Sequence, residues 1–101
     1  MGLLRDPVRN QEAQAHVDHI RHEMLDCMAF FLGEQDARPS VWSRVQYADD
    51  FQSLWYLRND LMQLLSHYCG EALAATKVHN ITALFRGHIP AAQFASARRR
   101  R

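Results

Sequence analysis

Apolar residues recur along this chain at intervals of three and four, the spacing that lines one side of an α-helix, and no stretch alternates as a strand would. The first periodic segment runs from about Asn10 to Leu32, with Ala13, Val17, Ile20, Met24, Cys27/Met28 and Phe31 as its stripe. Asn10 suits the N-cap, Glu12 places negative charge in the first turn, and Gly33 supplies a left-handed terminator. Glu34 to Ser40 is polar and holds Pro39, as expected of a loop between helices.

A second helix is predicted from Ser40–Ser43 to about Cys69, striped by Tyr47, Phe51, Leu54, Arg58, Leu61, Leu65 and Tyr68. Trp55, Met62, Leu57 and Leu64 flank that stripe, so apolar positions cover about half the circumference at about 100° per residue. Such breadth predicts that the second helix is the central element. Gly70 separates it from a third helix, Glu71 to about Arg86, striped by Ala74, Val78, Ile81 and Phe85 and closed by Gly87. Asn80 interrupts this stripe and offers an alternative cap. Pro90 suits the first position of a short last helix, Ala91 to Ala97. The expected fold is all-α: a small antiparallel bundle of three long helices plus a short C-terminal helix. One domain spans 10–97, between an N-terminal arm (1–9) and a basic tail (98–101).

At 101 residues, a domain of this kind buries only about 60–65% of its unfolded surface. Joining two copies through half-apolar helices would add burial at about 25 cal/mol per Å², which predicts a homodimer. The apolar run Met28 to Leu32 is too short to span a bilayer, and Arg5, Asp6 and Pro7 interrupt the start before any signal-peptide core. The expected setting is cytoplasmic and bacterial, the latter by association with eleven Arg against one Lys beside thirteen Ala. Cys27 and Cys69 stand apart inside apolar patterns and are expected as buried free thiols. Omitting Arg98–Arg101 leaves eight basic and eleven acidic residues, so an acidic body carries a cationic tail.

Arg58 interrupts the apolar stripe of the second helix. A guanidinium cannot shed its proton there, so it must snorkel, stack on Trp55, pair with Glu23, Asp50 or Glu71, or hold a ligand anion. On the first helix His16, His19 and Glu23 share a side at one-turn spacing, and a divalent metal is their candidate cofactor. The same spacing serves equally as a solvated His–carboxylate face, and neither H-E-x-x-H nor the di-iron Glu-x-x-His occurs. No Ser or Cys stands in a nucleophile context and no Gly-rich loop offers a phosphate cradle, so catalysis is unsupported. Arg98, Arg99, Arg100 and Arg101 would bind nucleic acid or another anionic partner without sequence specificity. Trp42 and Tyr56, outside the main stripes, are candidate anchors for a protein partner. The leading expectation is a self-associating protein-interaction module. Its rivals are a metal-binding bundle and a nucleic-acid-associated regulator.

Overall fold

The computed structural model describes residues 7–34 and 38–94, and among these the protein is all-α, without a strand. The elements are α1 (Pro7–Leu32), α2 (Ser40–Tyr47), α3 (Phe51–Tyr56), α4 (Arg58–Cys69) and α5 (Glu71–Ala83). Turns follow α5, and residues 91–94 form a last helical turn after Pro90. The tail Arg98–Arg101 lies outside the described residues, as do Met1–Asp6 and Ala95–Ala97. No described helix is long and apolar enough to cross a membrane.

Helix α1 starts at Pro7, within the expected arm, which places Asn10 inside the helix rather than at its cap. Proline suits a first turn because the missing N–H would have no intrahelical partner there. Ala13 is exposed, and the buried stripe begins one turn later with Val17, Ile20, Met24, Met28 and Leu32. The helix ends where expected: Gly33, at φ +64°, donates its N–H to the Ala29 carbonyl at 2.9 Å.

The second predicted helix is three helices. Ala48 and Asp50 adopt extended backbone, at φ −72°, ψ 130° and φ −145°, ψ 166°. Asp50 Oδ1 accepts the Ser53 N–H at 2.7 Å and so caps α3. Arg21 of α1, ion-paired with Asp18, donates from Nη1 to the Ala48 carbonyl at 2.6 Å, satisfying the interrupted end of α2. The break also corrects the phase. Continuing the stripe of Val41, Val45 and Ala48 at helical spacing would aim Gln52, Trp55 and Asn59 at the core, and of these only Trp55 is buried. After the break, Leu54, Leu61 and Leu65 are fully buried instead. Leu57 makes a second, milder joint, its N–H bonded to Leu54 O in a tightened turn between α3 and α4.

The central element is therefore α1, which packs against α2, α3, α4 and α5. Helices α4 and α5 form the most extensively packed pair, joined through Gly70 alone. Gly70 has φ +85° and ψ 160°, a region that essentially only glycine occupies. Ala74 and Ile81 of α5 reach the core as expected, and Phe85 and Ile89 join it from the turns beyond Ala83. The whole measures 49 × 36 × 17 Å with a radius of gyration of 14.9 Å, above the about 13 Å of a compact 100-residue domain. The fold is a slab.

Candidate functional site: an aromatic face and a cationic pocket

Near the C-terminal ends of α1 and α4, aromatic side chains stand on the outside of the slab. Phe30 is 80% exposed and meets Phe31 edge-on, with ring centroids 5.0 Å apart. Phe31 stacks on Tyr68 of α4 at 5.7 Å, and Tyr68 is itself 40% exposed. The Lys77 ammonium of α5 lies 5.9 Å from the Phe31 ring, and Leu73, one turn before Lys77, is also exposed. On α1, Asp26 and Glu23 stand one and two turns before Phe30, and both are exposed. Burial is the main influence on Cys27 and pushes its thiol up, with Lys77 opposing. Both cysteines are free and half-buried rather than fully buried.

A second feature lies between α3, α4, α5 and the turns that follow. A cavity of about 720 Å³ is lined by Trp55, Arg58, Met62, Val78, Arg86 and Phe94, among others. The Arg58 guanidinium sits 3.5 Å over the Trp55 ring, donates from Nε to the Trp55 carbonyl, and donates from Nη1 to Thr82 Oγ1, both at 3.0 Å. Thr82 passes its own proton to the Val78 carbonyl at 2.8 Å, so the hydroxyl is free to accept. Arg58 is half-buried, and desolvation pulls it below the ordinary guanidinium value. Among the described residues it has no carboxylate partner: Glu23, Asp50 and Glu71 form no ion pair with it. Stacking on Trp55 is the arrangement observed. Arg86 in turn lies 5.3 Å from the Phe94 ring, and Phe94 packs against Trp55 at 4.9 Å.

The histidine stripe does not converge on one point. The His16 Nε2–H donates to the Leu84 carbonyl at 3.3 Å, and its ring meets His88 at 4.2 Å, while His19 and Glu23 are exposed. His88 is stacked on Phe51 at 4.5 Å, so His16 belongs to a three-ring cluster linking α1, α3 and the turn after α5. Among the described residues no three His, Cys, Asp or Glu side chains are grouped to hold a metal ion. One-turn spacing keeps the His16 and His19 rings edge to face at 6.3 Å, and tertiary partners engage His16 as well. Of the expected anchors, Tyr56 is 68% exposed on α3, whereas Trp42 is half-buried with the Arg38 guanidinium 4.2 Å over its ring.

The aromatic face escaped the periodicity because Phe31 and Tyr68 both fell within apolar stripes and read as core. The signal was present in the run Met28–Leu32, since five consecutive apolar residues surround a helix and one neighbouring layer cannot bury them all. No protein-family model, curated protein or solved structure matches the chain.

Proposed function

We propose that this chain is a protein-interaction module that works as a homodimer, with Phe30, Phe31 and Tyr68 at the centre of its interface. One observation carries the reading: a helix of the slab displays Phe30 almost entirely to solvent beside a stacked aromatic pair. Aromatic residues concentrate in interface cores, and contiguous exposed apolar patches mark interaction sites. The occupant that fits best is a second copy. A thickness of 17 Å leaves one chain little depth in which to bury its apolar surface, and doubling the slab through this face would supply it. Lys77 beside the Phe31 ring, and Asp26 one turn before Phe30, offer opposite charges that a self-complementary two-fold contact can pair.

Phe30→Ser tests this reading, because Phe30 lies outside the buried core and its replacement leaves the monomer intact. Burying a phenylalanine contributes about 2 kcal/mol, and a two-fold interface loses it twice, so the dimer should weaken by on the order of a thousandfold. In sedimentation velocity the wild type should run as a dimer at tens of micromolar and the variant as a folded monomer. A variant that dimerises as tightly as the wild type would remove this face from the interface.

A further inference from the structure

The cavity beside Trp55 is built from parts that do not satisfy one another. Among the described residues its lining contains two guanidinium groups, Arg58 and Arg86, and no carboxylate, on a chain whose acidic residues outnumber its basic ones once the arginine tail is set aside. Arg58 offers five N–H donors, of which two are spent on neutral oxygens, the Trp55 carbonyl and the Thr82 hydroxyl. A half-buried cation with no counter-charge among the described residues has lost hydration that no anion replaces. The remaining wall is apolar: the rings of Trp55 and Phe94, with Met62 and Val78 beside them. Each guanidinium lies against one of those rings, so positive charge and aromatic surface meet at the same points.

We infer that this cavity is a binding site for a small organic carboxylate with an aromatic or alicyclic body, held by Arg58 and Arg86 and packed against Trp55 and Phe94. The volume of about 720 Å³ falls within the range of small-molecule sites and far exceeds what an inorganic anion would fill. A guanidinium presents paired donors that match the two oxygens of a carboxylate, and the bond is charge-assisted. Two cations suit one or two negative charges, whereas a polyphosphate would need more. His79 is the other titratable group in the lining, and it is exposed. The site is separate from the aromatic face of Phe30, Phe31 and Tyr68, and its test does not depend on the oligomeric state.

The experiment is a titration of the full chain with 4-phenylbutyrate, the neutral isostere 4-phenylbutanol, and inorganic phosphate. Trp55 emission is followed in a Trp42→Phe background that leaves it the sole tryptophan. Phenylbutyrate should saturate the signal and bind about tenfold or more tightly than phenylbutanol, the ratio a charge-assisted hydrogen bond gives. Phosphate should not displace it. Arg58→Met should abolish the preference for acid over alcohol, Arg58→Lys should restore part of it, and Arg86→Gln, an exposed position, should weaken it severalfold without disturbing the fold. Equal affinity for acid and alcohol, displacement by phosphate, absence of saturation, or an acid preference unchanged in both Arg58→Met and Arg86→Gln would each overturn the assignment. Should Arg58→Met fail to fold, Arg86→Gln alone decides.

Discussion

Replacing Asp50 with alanine tests why the second apolar stripe is broken into three helices. The carboxylate of Asp50 accepts the Ser53 N–H at 2.7 Å and caps a helical path that continues, through the joint at Leu57, to Cys69. Loss of an N-cap acceptor typically costs about 1 kcal/mol, within a range of about 0.5–2. Asp50 is exposed, so water takes over part of the lost bond and about 1 kcal/mol is the expected value. For a domain of this size that corresponds to a fall in melting temperature of about 4–8 °C. Asp50→Asn, which keeps an acceptor but loses the charge, should fall between the two, and Asp49→Ala, an exposed neighbour that caps nothing, should change little. The backbone and then the side-chain hydrogen bond from Ser53 hold the Asp50 carboxyl below its ordinary value of 3.8. A depressed carboxyl stabilises the fold above its unfolded value and loses that contribution as pH falls through the folded value. The gap between wild type and Asp50→Ala should therefore narrow as pH falls below 3.8, in thermal melts followed by circular dichroism. Equal melting temperatures for Asp50→Ala and Asp49→Ala at neutral pH would refute the role given to the cap.

Gly70→Ala should destabilise by about 1–3 kcal/mol in denaturant titration, because φ +85° and ψ 160° exclude a side chain while the space around a new Cβ is empty. No loss would mean that the α4–α5 connection takes another path. His88 is held below its ordinary value by partial desolvation and secondarily by His16, so the folded state resists its protonation. Stability should be complete above about pH 6.5 and decline as pH falls toward the depressed value, and the decline should shrink in His88→Asn; an identical decline in that variant would exclude the His16–His88 pair as a source. Cys27, whose thiol burial raises, should react with iodoacetamide more slowly in the folded chain than in the same chain unfolded in guanidinium, and equal rates would contradict its half-buried placement.

Much of this fold was legible because burial at helical intervals is a local property. The α1 core from Val17 to Met28, the terminators Gly33 and Gly70, and Ala74 and Ile81 of α5 all stand where the spacing put them, whereas the last buried position of α1 is Leu32 and not the expected Phe31. The segmentation of the second stripe was harder to read. Asp49–Asp50 followed by Ser53 is an adequate stop and cap, but the apolar positions on either side also fit one continuous helix. The deciding interaction is Arg21, 27 residues from the Ala48 carbonyl that it satisfies. Asn80 shows the opposite case, an available cap that goes unused because α5 continues through it to Ala83. Arg58 could be singled out as a charge among apolar residues, and its stacking on Trp55 follows from their three-residue separation on a helical path. Its companions Arg86 and Phe94 could not be foreseen, since only the turns after α5 carry them back to Trp55. The histidines show the same limit: helical spacing foresaw the neighbouring His16 and His19, whereas the contacts of His16 with Leu84 and His88 depend on the turns after α5.

A thin helical slab would complete its burial against a second copy of itself. Light scattering on the eluting peak of a size-exclusion column, run on the full wild-type chain at tens of micromolar, measures this directly. The predicted mass is twice the 11.7 kDa of one chain, falling toward a single chain on dilution. A mass of one chain at every concentration would contradict it.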